Sequence, residues 1–256
     1  MKRTNAIPVI FNSFFKSGLK AARTRVFILL SLVAVLLTLV VRLVDPGGAP
    51  DFFSMVMMSL YFQLLIPVLA LFFGTTIVND ELDNKTLVYL TTVPVSRRAV
   101  ILGKYLAAFL LLLLTVSSGF LLSFALAAGG RLGQAAAWQE LGVSLGAALL
   151  ALFCYSALFT LIGAFMKKSI LAGLFFVFGW ESVVQYFPGV TQKFTIIHWI
   201  KSLLPPQAHK GGFLIFQLQP SPVPESILVL LIAGLLFLAA AVFIFERKEY
   251  ILSDNA

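Results

Sequence analysis

The chain has 256 residues, of which 60% are hydrophobic and 12% charged, and a mean hydropathy of +0.98. A water-soluble domain carries roughly 45–50% apolar and about 25% charged residues, so water is excluded as its principal solvent. The net charge of +8 would suit a nucleic-acid partner in a soluble protein, but a membrane chain also concentrates Lys and Arg beside its cytoplasmic surface. The single cysteine, Cys154, excludes an intrachain disulfide or a cysteine metal cluster and reads as a packing residue.

Residues 1–25 form a basic leader with a pattern of its own. At 100° per residue Ile7, Ile10, Phe11, Phe14, Phe15, Gly18, Ala21 and Ala22 fall on one arc, and Asn12, Ser13, Lys16, Lys20 and Arg23 on the other. That pattern predicts an amphipathic helix in the membrane interface, with Pro8 tolerated in its first turn; a partly ordered basic tail is the alternative. The leader and the apolar run after it are too long for a cleaved signal peptide, so the first span is expected to be retained.

In a bilayer every backbone polar group must be satisfied within the protein, so long apolar runs predict helices and an all-α polytopic fold. Runs of a length to cross occur at 26–44, 52–78, 99–128, 141–166, 170–187 and 226–245. They make a six-helix transmembrane domain over 26–245, followed by a tail at 246–256. With the N-terminus inside, 14 Lys and Arg fall on the cytoplasmic side and 5 outside, the bias the positive-inside rule requires. Both termini are then cytoplasmic, and the bias accounts for the charge without nucleic acid.

The cytoplasmic segment 79–98, between the second and third spans, is expected to hold a short amphipathic helix. Asn79 or Asp80 can cap it, Glu81 and Lys85 form an i,i+4 pair, Leu82, Thr86, Tyr89 and Val93 share a face, and Pro94 ends it. Ser96 can cap the third span, with Arg97, Arg98 and Lys104 anchoring it. A docking feature and a plain turn between spans are both compatible with this pattern.

These residues resemble the ABC-2 type permeases, the membrane subunits of a class of ATP-binding-cassette transporters. Glu81, Asp83, Thr86, Leu87, Leu90, Pro94, Ser96, Arg97, Ile101, Leu102, Gly103 and Lys104 fall in register with that family's second loop. Leu82 stands where the family has a basic residue and Lys85 where it has glycine; residues 245–249 resemble its charged end. The resemblance implies a dimeric membrane core, with a second copy or a paralogue, driven by cytoplasmic ABC ATPase subunits that grip this loop as a coupling helix. Glu81, Tyr89 and Arg97 would meet the ATPase. It also implies export, accessory subunits in some assemblies, and a bacterial or archaeal cytoplasmic membrane. The chain has no G-x-x-x-x-G-K-[ST] phosphate cradle, so ATP and Mg are expected on the partner and no cofactor on this chain.

Further along, Gly142-x-x-x-Gly146 with Ala147 would allow the fourth span to approach another helix closely. Gln63 and Pro67 suggest a polar contact and a kink in the second span, although plain packing accounts for both more simply. Glu181 is an intramembrane carboxylate, expensive and hence a pathway candidate, with Arg42, Lys193 or a water-filled cavity as partner; an early end to the fifth span, placing it at the outer interface, is the alternative. The outer loop 188–225 carries an apolar stretch through Trp199 before Pro205-Pro206, which predicts a re-entrant outer gate or an interfacial loop. Rival functions are an ATP-independent transporter or channel, a non-transporting assembly factor and, more remotely, an intramembrane enzyme. Against the last, Asp80, Glu81 and Asp83 have no second acidic cluster to complete diphosphate chemistry, and His198 and His209 lack a nearby carboxylate for a metal site.

Overall fold

In the computed structural model the described residues are 6–44, 57–83, 96–128, 133–185, 187, 189–204 and 220–247. They are all helical or connecting, in the order α1 (Ala6–Lys20), α2 (Ala22–Val44), α3 (Ile66–Asp83, entered through a π-helical stretch Met57–Leu65), α4 (Arg97–Ala128), α5 (Ala135–Phe165), α6 (Ser169–Val184), α7 (Ile196–Leu203) and α8 (Val223–Arg247). Among the described residues five helices are long and apolar enough to cross a membrane: α2, α3 with its π-helical entry, α4, α5 and α8. The run expected as a further span is α6, an apolar helix of 16 residues.

The amphipathic arc of the leader is present, and a neighbouring helix takes much of it. Lys16, Lys20, Asn12 and Ser13 are exposed, while Ile10, Phe14 and Gly18 turn onto α4. A Cβ on Gly103 would lie 3.1 Å from the Ile7 carbonyl oxygen and from the Ile10 Cβ, and the Lys104 ammonium sits 5.2 Å from the Phe14 ring centre. Thr24 closes the α1–α2 corner by donating its hydroxyl to the Gly18 carbonyl at 2.6 Å. On α2, Phe27, Ser31, Ala34 and Thr38 make the buried stripe at helical spacing, and the rest of the helix is largely exposed and apolar, as a lipid-facing surface should be.

The centre of the bundle is the α3–α5 pair. Since lipid tails are as apolar as the core, helix association in a membrane depends on close packing rather than on escape from water. Gly74 and Gly163 provide that closeness: a Cβ on Gly74 would lie 2.8 Å from the Phe159 Cβ, and one on Gly163 would lie 3.2 Å from the Thr75 Cα. The expected approach at Gly142-x-x-x-Gly146 is not made among the described residues, where a Cβ on either residue meets nothing within 4 Å. Those two glycines lie on the exposed side of α5, and Ala147, Ala151 and Cys154 face inward.

Pro67 explains the widened start of α3. Its ring would crowd the carbonyl four residues back, at Gln63, and its missing N–H leaves that carbonyl without the usual donor. The π-helical turns of Met57–Leu65 end just before it and absorb the mismatch. At its other end α3 continues unbroken to Asp83, so Asn79 and Asp80 lie inside a helix and do not begin one. Extending an existing helix costs less than nucleating another, which outweighs the local capping tendency of these residues.

The antiparallel alternation gathers the basic ends. Lys16, Lys20, Arg25, Arg97, Arg98, Lys104, Lys167, Lys168 and Arg247 lie at one end of the bundle, and Arg42, Lys193 and Lys201 at the other.

Candidate functional site

Two regions hold the candidate residues that are described. The first is the foot of α4. Ser96 precedes the helix and accepts the Ala99 N–H on its Oγ at 3.3 Å and on its carbonyl at 3.0 Å, the expected cap. Arg97 donates to the Glu246 carbonyl at 3.4 Å, and Arg98 forms an ion pair with the Glu246 carboxylate, so the start of α4 is tied to the end of α8. Glu81 and Asp83 belong to the last turn of α3. Thr86, Leu87, Tyr89, Leu90 and Pro94 lie outside the described residues.

The second region is at the opposite end, where α6 turns back into α7. Glu181 is only 4% exposed, and its two carboxylate oxygens accept the backbone N–H groups of Ile196 at 2.9 Å and Ile197 at 3.1 Å. These are the first two residues of α7, whose N–H groups have no acceptor within their own helix. Thr195 accepts the third, from His198, at 3.3 Å. A buried carboxylate at the positive end of a helix dipole is favourable on both counts. Glu181 and Thr195 thus cap α7 together, and Lys201 on that helix is near enough for its charge to act on the carboxylate. Lys193, one of the partners expected for Glu181, lies instead over the Trp199 ring, 6.0 Å from its centre.

Trp199 is buried on α7 and donates its indole N–H to the Lys193 carbonyl at 2.9 Å, so the 3-10 turn Gly189–Phe194 and the helix are locked together. Glu181 and Trp199, proposed separately from the sequence, meet in one small assembly. Gln185, one turn beyond Glu181, accepts from both Gln63 on the π stretch before α3, at 3.1 Å, and Lys201, at 2.8 Å. Gln63 thus makes the polar contact that its sequence suggested, and plain packing does not account for it. On the far side of α7, Ser202 donates to the His198 carbonyl at 2.9 Å and accepts the Ser221 N–H at 3.1 Å, and the His198 Nε2 lies 3.2 Å from the Ser221 hydroxyl. Burial, with the charges of Lys193 and Lys201 added, holds the His198 pKa below its ordinary value; burial pushes Lys201 down to about 8 against the pull of Glu181.

Between α3, α5, α6 and α7 lies a cavity of about 300 Å³, lined by Ser59, Gln63, Tyr155, Glu181, Ser182 and Gln185 with Leu64, Pro67, Phe178 and Ile197. Two π-helical segments border it, Met57–Leu65 and Phe175–Glu181; the wider turn of the second places Glu181 inward, and Ser182 donates to the Val177 carbonyl at 2.9 Å. The Tyr155 hydroxyl is buried beside the same carboxylate without a hydrogen-bond partner of good geometry. The arrangement can admit water or a small polar group, and it holds α7 over that space through a handful of hydrogen bonds. Among the described residues no three His, Cys, Asp or Glu side chains gather to hold a metal ion.

The sequence singled out Glu181 but not Tyr155, Gln185 or Lys201 as its surroundings. Gln185 had a usable signal, being four residues on and therefore on the same helical face.

Compared with known families, residues 61–250 match the family model described as ABC-2 family transporter protein. That interval runs from the start of α3 past the end of α8 and includes both regions above. No curated protein matches the chain.

Proposed function

The chain belongs to the ABC-2 transporter family, and from that premise we propose that it is a permease subunit: half of a membrane pathway, completed by a second copy or a paralogue and powered by separate cytoplasmic ATPase subunits that carry ATP and Mg. The match over 61–250 carries this reading, because it covers the coupling segment and the outer loop together with the spans between them. In this reading the segment 79–98 docks the ATPase through Glu81, Asp83, Thr86, Leu87, Tyr89, Leu90, Pro94, Ser96 and Arg97. The tie from Arg97 and Arg98 to Glu246 supports it, since a push on the foot of α4 is passed directly to α8.

Six crossings follow if α6 is counted with the five longer helices, and the collection of basic residues at one end favours a cytoplasmic location for both termini. The leader helix then lies at the inner interface against α4. At the outer end α7 is a re-entrant gate, seated by Glu181 and Trp199 over the polar cavity, and export is the direction carried by the family.

The test is gentle purification of the tagged chain with identification of what remains bound. A stoichiometric ABC ATPase is expected, and an active transporting assembly without one overturns the reading. Reversing the charges of Glu81 and Arg97 together should weaken ATPase retention; full assembly and transport in that variant would remove the coupling assignment.

A further inference from the structure

α8 packs chiefly along α5, where Gly234 lets it approach Phe153 so closely that a Cβ there would lie 2.4 Å from the ring, and it meets α4 only sparsely. A groove of about 400 Å³ is left between α4 and α8. Its walls are Leu102, Leu235, Leu238, Ala239, Val242 and Phe243, and its mouth is the Arg98–Glu246 ion pair.

The two ends of this groove differ in chemistry. From Leu235 to Phe243 the wall is apolar for about 12 Å along the helix axis, a little under half the hydrocarbon thickness of a bilayer of about 30 Å. At the mouth three guanidinium groups stand against one carboxylate among the described residues. Arg97 reaches the Glu246 carbonyl, Arg98 is paired with its side chain but remains largely exposed, and Arg247 is held over the Phe243 ring at 4.1 Å. The mouth is net positive, and guanidinium forks match phosphate oxygens. A helix about 10 Å across would need more than about twice this volume over the same length, so the groove suits an extended chain better than a partner helix.

We propose that the α4–α8 groove binds one acyl chain of an anionic phospholipid, with the lipid phosphate held at Arg97, Arg98 and Arg247. The site requires only that the chain lie in a bilayer, and it stands or falls independently of the ATPase reading.

The purified assembly, stripped of lipid in mild detergent, is titrated with phosphatidylglycerol or with phosphatidylcholine of the same acyl chains, and retained lipid is counted by native mass spectrometry. One tightly held phosphatidylglycerol per copy is expected, with phosphatidylcholine held more weakly. The exposed double variant Arg98→Gln/Arg247→Gln should weaken phosphatidylglycerol by about 30-fold, from about 1 kcal/mol for each basic residue near a charged lipid surface. Ala239→Trp, which fills the groove, should abolish retention of both lipids, and glycerol phosphate should not compete. Equal retention of the two lipids by the unaltered protein overturns the proposal, as does undiminished retention in the double variant. Full competition by glycerol phosphate would make this a free-phosphate site, and a dimer that Ala239→Trp dissociates would make it an interface between copies; either result also overturns it.

Discussion

Two backbone N–H groups, from Ile196 and Ile197, carry the Glu181 carboxylate, and that pairing can be tested by what each substitution leaves behind. Glu181→Ala strands both donors in a buried site at roughly 1–3 kcal/mol each, whereas Glu181→Gln retains one acceptor oxygen and should lose about half as much. Thermal unfolding in detergent should therefore rank the unaltered protein above Gln and Gln above Ala; an Ala variant as stable as the unaltered protein would mean that the Glu181 carboxylate contributes nothing to the cap. Lys201 adds a pH dependence on the same helix. Its pKa is about 8 when folded and ordinarily 10.5, so above pH 8 the unfolded chain binds more protons at this position and stability rises until about 10.5. Against Lys201→Gln, the unaltered protein should gain stability between those two values, and parallel curves would remove the assignment. Cys154, packed in the core of α5 and fully buried, should resist a membrane-permeant maleimide until the protein unfolds, which gives an independent readout of folding for every variant above. Glu181 was legible in the sequence because a carboxylate in an apolar run is costly and stands out. Its partners were not, since backbone N–H groups carry no side-chain signature and Lys201 reaches the site only after the chain has turned through the 3-10 segment.

Between helices, the sequence showed where close approach is permitted but not where it occurs. Gly142-x-x-x-Gly146 has the spacing of a packing motif, yet both glycines face open space, while the isolated Gly74 and Gly163 sit where α3 and α5 touch. Spacing along one helix says nothing about which neighbour its face will meet. Gly74→Ala should accordingly destabilise by about 1–3 kcal/mol, because its Cβ would meet the Cβ and backbone of Phe159 at 2.8 and 3.1 Å and the helices must part. Gly142→Ala should be neutral or should stabilise by up to about 1 kcal/mol through helix propensity. A larger loss at Gly142 than at Gly74 in thermal unfolding would mean that the α5 face is covered in the assembled protein. Helix existence was far easier to read than helix ends. Apolar length alone identified α2, α4, α5 and α8, but polarity ended the second span near Asn79, whereas α3 continues to Asp83. The cost of nucleating a new helix is paid only once, so a run already formed extends into residues that would not start one.

For the molecule as a whole, the number of crossings depends on α6. At 16 residues it is about 24 Å long, short of a hydrocarbon core of about 30 Å. A shorter helix can still cross where the bilayer thins locally or where neighbouring protein covers its end, and the turn and α7 pack against the end that carries Glu181. If α6 crosses, Lys168 before it and Val190 after it face opposite sides of the membrane. Both are exposed, so each can be replaced by cysteine, singly, with Cys154→Ala removing the native thiol. In sealed right-side-out vesicles, an impermeant maleimide should label the cysteine at 190 and spare the one at 168, and inverted vesicles should reverse the pattern. Labelling of both from one side would make α6 a hairpin arm rather than a crossing. That outcome would contradict the fold, because the ties of Arg97 and Arg98 to Glu246 hold the end of α8 beside the foot of α4, and the chain must therefore change sides between α5 and α8 for Arg247 to join the N-terminal basic residues.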